Sequence, residues 1–205
     1  YYDTPELSLR ARRIALRFRK KGWDWLLTVK SAEPAAGGLA VRNEWETPAT
    51  PGVFDFSHVD APALREALDQ QREDLTAVFT TDFQRHCWQV PFGASQIEMA
   101  LDQGYIAANG RRERICEVEL ELISGQVDDL FALCRHLQRA LHLHPSIASK
   151  AERGYRLFTN EPIRPFRAKA LPLDAEMRPV EAFRHIALSC LEQFQRNEPG
   201  LLAGG

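Results

Sequence analysis

Three glutamates alternate with apolar residues in the segment Cys116–Leu122, which reads CEVELEL. In a β-strand, Glu117, Glu119 and Glu121 would lie on one face, about 7 Å apart at each two-residue step. Carboxylates at this spacing repel one another, and a hard divalent cation such as Mg²⁺ or Mn²⁺ would relieve that repulsion through oxygen ligands. The alternative is a structural ion network in which these glutamates pair with arginine or lysine on neighbouring strands.

A second set of residues supplies positive charge in a similar alternating pattern. Arg17 and Arg19 alternate with apolar residues, Lys30 ends the segment WLLTVK, and Arg42 begins RNEWE. Guanidinium groups match phosphate oxygens in a bidentate geometry. Basic residues and carboxylates in one site would suit a small polyanion that binds arginine and lysine on one side and metal ions on the other. The expected reaction is in-line phosphoryl transfer to water.

The overall composition conceals this segregation of charge. The 205 residues include 26 Lys plus Arg and 28 Asp plus Glu, for a net charge of -2. Residues 1–30 carry eight basic and three acidic side chains, whereas residues 93–130 carry eight acidic and three basic ones. The near-neutral total argues against a general binder of nucleic acid or other long polyanions.

The chain has features typical of a cytoplasmic protein. No run approaches the ~18 consecutive apolar residues of a membrane span, and the first residues have no apolar signal core. The four cysteines form no C-x-x-C pair, which argues against a disulfide framework or zinc site. We expect them to be small buried residues in a reducing compartment, and we predict no membrane association.

The period of the hydrophobic pattern distinguishes strands from helices. Alternation with period two predicts strands in the charged segments, and Asn109-Gly110 predicts a tight hairpin that pairs Ser95–Ala108 with Arg112–Ile123. Helical spacing predicts helices over Ala61–Leu75, with Asp60 as N-cap, and over Val127–Leu143 and Val180–Arg196. A proline-containing segment, residues 158–177, predicts a linker and a domain boundary near Leu171.

Periodicity alone leaves two α+β architectures open. One is an open antiparallel sheet with its charged face towards water, and the other is a closed barrel that encloses the charges and carries helices on its outside.

Eight short segments, in order along residues 1–157, resemble the CYTH superfamily of triphosphate tunnel metalloenzymes and look most like bacterial inorganic triphosphatases. These segments are YYDTP, ALRFR, LLTVK, VRNEWE, TDFQRHCW, IEMALDQG, CEVELELISG and SKAERGY. The resemblance implies an antiparallel eight-stranded β-barrel tunnel with a polar lumen and external helices. It implies metal-dependent hydrolysis of inorganic triphosphate to pyrophosphate and phosphate, with Mg²⁺ or Mn²⁺ as cofactor.

The resemblance also assigns roles to individual residues. The triphosphate or polyphosphate would be bound by Arg17, Arg19, Lys30, Arg42, Arg85, Lys150 and Arg153. The metal would be bound by Glu117 and Glu119, with Glu121 as a third ligand. Tyr1, Glu44 and Glu46 match catalytic positions, and Glu98 and Asp102 match further acidic positions of the tunnel.

One family feature is not found before YYDTP: an N-terminal strand of the form E-x-E-x-K, which would supply two carboxylates and a lysine. From this we expect an incomplete barrel with unpaired edge groups on Tyr1–Arg10 or a neighbouring strand, and an impaired metal site. We expect a chain that carries the strand to hydrolyse tripolyphosphate with Mg²⁺.

The C-terminal segment resembles a second family. Val180–Gly205 looks like the first helix of a CHAD domain, a helical module that often binds polyphosphate. The predicted organisation is a CYTH domain over residues 1–170, followed by a linker and this helix over residues 171–205. The alternative is a helix that packs on the barrel exterior.

Two other functions stay open. A chain without the E-x-E-x-K strand would suit a polyphosphate- or nucleotide-binding module without turnover. Relatives with the same fold act instead as adenylate cyclases or thiamine triphosphatases.

Overall fold

The computed structural model describes residues 1–32 and 42–202, and its polypeptide divides into two compact units. The first unit comprises Tyr1–Val78, Ser146–Ala151 and Asn160–Gly205. The second comprises Phe79–Pro145 and Glu152–Thr159. Each unit contains one antiparallel sheet, in agreement with the predicted α+β class.

Within the described residues, the sheet of the first unit has five strands in the order β4-β3-β2-β1-β5. Their bounds are Tyr2–Asp3 (β1), Ile14–Lys21 (β2), Asp24–Ala32 (β3), Arg42–Pro48 (β4) and Thr76–Ala77 (β5). Because successive side chains of a strand point to opposite faces, the alternating sequence separates an apolar face from a charged face. The apolar face contributes Leu16, Leu27 and Val29, all with no exposed surface, to a core completed by Phe56 and Leu68.

The sheet of the second unit has three long strands in the order β6-β7-β8. Their bounds are Thr80–Phe92 (β6), Ser95–Ala108 (β7) and Arg111–Ser124 (β8). Asn109 and Gly110 both have positive φ, 48° and 75°, as the predicted tight turn requires. The predicted hairpin is therefore confirmed, with strand ends within one residue of the predicted ones.

Among the residues that the structure describes, five α-helices accompany the sheets: Ser8–Ala11 (α1), Pro62–Gln70 (α2), Val127–Ala140 (α3), Lys150–Thr159 (α4) and Pro179–Leu202 (α5). The helices predicted from periodicity correspond to α2, α3 and α5, whereas α1 and α4 were not predicted. The predicted cap is wrong, since Ala61 is the N-cap of α2 and Asp60 accepts a hydrogen bond from Trp45 Nε1. Among the described helices, none combines the length and the apolar character needed to cross a membrane.

The prediction of one closed eight-stranded barrel is wrong for the part of the chain that the structure describes. The described strands form separate sheets of five and three strands, and neither sheet closes on itself. The two-residue period of the sequence determines which face of a strand is polar, but it does not determine which strand pairs with an edge strand. The same sequence pattern is therefore compatible with an open sheet as well as with a closed barrel. The expected unpaired edge at the start of the chain is also not found at Tyr2, which pairs with both Leu16 and Ala77.

Two smaller predictions have different outcomes. All four cysteines are free, as expected, but Cys87, Cys116 and Cys190 are exposed and Cys134 is half-buried, so their predicted burial is wrong. The predicted domain boundary near Leu171 lies between α4 and α5 and remains a prediction.

Candidate functional site: an acidic cluster and a basic sheet face

Three carboxylates meet on one face of the β6-β7-β8 sheet, and we call them the acidic cluster: Asp102, Glu117 and Glu119. Asp102 on β7 pairs directly with Glu117 on β8, and Glu119 follows two residues later on the same face. One ligand oxygen from each residue lies within 4.8 Å of the other two. The Asp102 side chain has no exposed surface, whereas 21% of Glu117 and 48% of Glu119 is exposed.

Arg85 on β6 contacts two members of the acidic cluster. Its Nε and Nη2 atoms donate to the two carboxylate oxygens of Asp102 at 2.7 and 2.6 Å, and Nη2 also donates to Glu119 Oε2 at 2.5 Å. The hydrogen bonds that Arg85 donates to Asp102, together with the negative charge of Glu119, raise the pKa of Arg85 above its ordinary value against the opposing effect of burial. The guanidinium group is therefore charged at any pH at which the protein is folded.

Arg153 on α4 contacts the third member. Its Nη1 donates to Glu117 Oε2 at 2.7 Å, its Nε donates to Glu113 Oε1 at 2.6 Å, and its Nη2 donates to the carbonyl oxygen of Arg114. Arg156 binds the second oxygen of Glu113 at 2.9 Å. Each carboxylate of the acidic cluster thus accepts at least one arginine hydrogen bond.

A glycine lets α4 approach the sheet closely enough for these contacts. A Cβ atom at Gly154 would lie 2.2 Å from Phe79 Cε2, inside van der Waals contact, so the helix needs glycine at that position. The Phe79 and Tyr155 rings pack edge to face, 5.1 Å between centroids. This packing holds Arg153 beside Glu117.

The charged face of the first unit's sheet, which we call the basic face, combines Tyr1, Arg17, Arg19, Lys30, Glu44 and Glu46. Register places Arg17, Thr28 and Glu46 in one row and Lys30 beside Glu44 in the next. Lys30 Nζ binds Glu44 Oε2 at 2.7 Å, and Arg19 Nη2 lies 3.7 Å from Glu46 Oε1. Thr28 Oγ1 donates to the other oxygen of Glu46 at 3.0 Å.

Arg17 differs from the other cations of the basic face. Its Nη1 donates to the Tyr1 hydroxyl at 3.0 Å, and the guanidinium carbon lies 5.7 Å from the centroid of the Tyr1 ring. Within the described residues, its buried Nε has no hydrogen-bond partner. A buried donor without a partner is costly, and an incoming anion would satisfy it.

The remaining predicted site residues have different positions. Lys150 is buried at the start of α4, with 7% of its surface exposed. Arg42 begins β4, and its side chain lies outside the described part of the chain. Glu121 lies on the same face as the acidic cluster but outside it, opposite Glu98 on β7.

Sequence reasoning did not identify two participants. It placed Asp102 among further acidic positions but not with the metal ligands, and it assigned no role to Glu113. A usable signal was present in the Asn109-Gly110 turn, because counting outwards from a two-residue turn places Asp102 directly opposite Glu117. For Glu113 the sequence offered no such signal, since its contact with Arg153 depends on the packing of α4 on the sheet.

Comparison with known proteins identifies the family. The CYTH domain profile matches residues 1–155, three quarters of the chain, and the chain therefore belongs to the CYTH domain family.

Two individual proteins illustrate this relationship. The chain is 35% identical over 167 residues to the inorganic triphosphatase of Haemophilus influenzae; the matched region is 77% of this chain and 44% of that protein. The chain thus spans less than half the length of this curated relative. Its fold is similar to that of a candidate adenylate cyclase from Bacillus halodurans, with a TM-score of 0.50 at 17% identity, over 75% of this chain and 78% of the other.

Proposed function

We propose that this chain contains the CYTH domain of a metal-dependent inorganic triphosphatase, which hydrolyses tripolyphosphate to pyrophosphate and phosphate. The proposal rests on the family membership, on the name of the 35% identical relative and, above all, on the acidic cluster.

The donor chemistry of the acidic cluster fits a hard divalent cation. Asp102, Glu117 and Glu119 offer only carboxylate oxygens, the ligands preferred by Mg²⁺ and Mn²⁺. Such an ion, when bound, would stabilise negative charge on the phosphoryl group during transfer. Glu121 is a further candidate ligand from the same strand.

The basic face fits the triphosphate itself. Arg17, Arg19 and Lys30 present cationic groups on neighbouring strands, and the unsatisfied Nε of Arg17 provides one hydrogen-bond donor for a phosphate oxygen. Arg42 begins β4 and completes the proposed set on this sheet; Arg85, Lys150 and Arg153 are proposed to contribute further cations.

The other residues of the basic face would orient these cations and the attacking water. The Tyr1 hydroxyl accepts a hydrogen bond from Arg17, while Glu44 binds Lys30 and Glu46 lies beside Arg19. Both carboxylates can accept a hydrogen bond from water, which is the role we propose for Glu44 and Glu46 in activating the nucleophile.

Phosphate release from tripolyphosphate, measured with Mg²⁺ and with EDTA on the protein at its full natural length, tests the proposal. We expect Glu119→Gln to lower kcat/KM by about 100-fold or more, since even groups that only support metal ligands contribute about 10–100-fold. Arg17→Ala should chiefly raise KM. The matched control is Glu66→Gln on α2, an exposed glutamate that hydrogen-bonds Gln70 and should leave turnover unchanged.

Three outcomes would overturn the proposal or narrow it to another activity. Full Mg²⁺-dependent turnover in Glu119→Gln would refute the metal role. Tight binding of tripolyphosphate without phosphate release would favour a binding module. Faster release from ATP or thiamine triphosphate than from tripolyphosphate would favour a nucleotide or thiamine triphosphatase.

A further inference from the structure

The two arginines at the acidic cluster carry as much positive charge as one divalent cation. Three ionised carboxylates with Arg85 and Arg153 have a formal charge of about −1, and the same carboxylates with one divalent cation have the same charge. Arg85 and Arg153 therefore supply the same formal charge as one divalent cation, although Glu113 shares the charge of Arg153.

The arginines also bind carboxylate oxygens of the same three residues that would hold a metal ion. Arg85 engages both oxygens of Asp102 and one of Glu119, at 2.5 to 2.7 Å. A carboxylate that accepts a bidentate arginine has lone pairs already directed at N–H groups. Since Asp102 has no exposed surface, it cannot turn to water to offer another lone pair.

We propose, on the basis of the proposed function, that Arg85 is an exchangeable counter-cation: it pairs with Asp102 and Glu119 when the metal is absent and leaves them when a divalent cation binds. The third of its side chain that is exposed allows the guanidinium group to move away from the sheet. Once released, Arg85 is available to bind a phosphate oxygen, so that metal binding and substrate binding become coupled through one side chain.

Replacing Arg85 should change metal affinity in the direction opposite to that expected for a residue that supports a metal ligand. A supporting partner of a ligand, when removed, weakens metal affinity by about 10–100-fold. An exchangeable competitor, when removed, tightens it, and for Arg85→Gln we expect the Kd for Mn²⁺ to fall by about tenfold.

The test measures Mn²⁺ binding by isothermal titration calorimetry, without triphosphate, to the wild-type chain and to Arg85→Gln, Arg85→Lys and Arg112→Gln. Arg112→Gln is the matched control: it removes the same charge from β8, but its position lies on the face opposite the acidic cluster, and it should leave the Kd unchanged. Arg85→Lys keeps the charge without the bidentate geometry and should give an intermediate Kd.

Thermal unfolding supplies a second readout. Without metal, Arg85→Gln should melt below the wild type because Asp102 loses a partner, and Mn²⁺ should raise its Tm by more than it raises that of the wild type. If Arg85→Gln does not fold, Arg85→Lys takes its place, with a smaller fall in the Kd for Mn²⁺ expected.

An unchanged or higher Kd for Mn²⁺ in these variants would refute the proposed exchange. Because no triphosphate is present, this result is independent of whether the protein hydrolyses tripolyphosphate. A lower Kd for Mn²⁺ in the Arg85 variants, in a protein that releases no phosphate from tripolyphosphate, would support the exchange and refute the proposed activity.

Discussion

The burial of Asp102 makes the Asp102–Arg85 pair the most informative place to test the energetics of the acidic cluster. The change is Asp102→Asn, which keeps the size of the side chain and removes its charge. Asp102 has no exposed surface and accepts two hydrogen bonds from Arg85, whereas Arg85 is one-third exposed and also binds Glu119.

The expected loss follows from these exposures. Removing one partner of a fully buried ion pair costs roughly 3–5 kcal/mol, because the other charge is left without compensation. Arg85 keeps some contact with water and with Glu119, and removing Asp102's charge relieves repulsion from Glu117. We therefore expect a lower cost of about 2 kcal/mol in the free energy of unfolding.

The assay is thermal and urea unfolding followed by far-UV circular dichroism, in EDTA so that no metal contributes. For a chain of this length the expected fall in Tm is about 4–8 °C. Glu119→Gln is the comparison, since its carboxylate is half exposed and its pairing with Arg85 should be worth less than about 1 kcal/mol. If Asp102→Asn unfolds no more easily than Glu119→Gln, burial does not determine the strength of this pairing and the reasoning is refuted.

Two further predictions concern the same sheet. Glu98 lies directly opposite Glu121, and like charges in such a pair repel, so Glu98→Gln should leave the urea midpoint unchanged or raise stability by up to about 0.5 kcal/mol; a loss above about 1 kcal/mol would contradict this interpretation. At Gly104 an added Cβ would lie 2.1 Å from the carbonyl oxygen of Asp82 and 2.5 Å from Phe83 Cα, both backbone atoms. Gly104→Ala should therefore lower stability by about 2 kcal/mol or more in the same assay. The comparison is Gly52→Ala, where φ is 88° and the added methyl group meets no neighbouring atom, so that its cost comes from backbone strain alone. A cost of Gly104→Ala no greater than that of Gly52→Ala would show that β7 adjusts to the extra methyl group.

The part of this protein that could be predicted from sequence is the part decided by local geometry. Alternation of charged and apolar residues assigned Arg17, Arg19 and Lys30 to one face of their strands, because side chains in a strand alternate regardless of what the strand pairs with. The same alternation placed Glu117 and Glu119 together. The Asn109-Gly110 turn predicted its hairpin, since both positions require positive φ and few other residues tolerate it.

Tertiary structure decided which charges pair and how strands assemble. The alternation at Glu117 was compatible with both a metal site and an ion network, and only the folded chain shows Arg85 and Arg153 bonded to the acidic carboxylates. The burial of Asp102 depends on neighbouring elements rather than on its own strand. The separation into two sheets likewise depends on long-range pairing of strand edges, which the period of two leaves undetermined. Sequence thus determined the two charged faces, and tertiary packing determined that the acidic one is neutralised by arginine, because contacts between distant elements depend on how those elements pack.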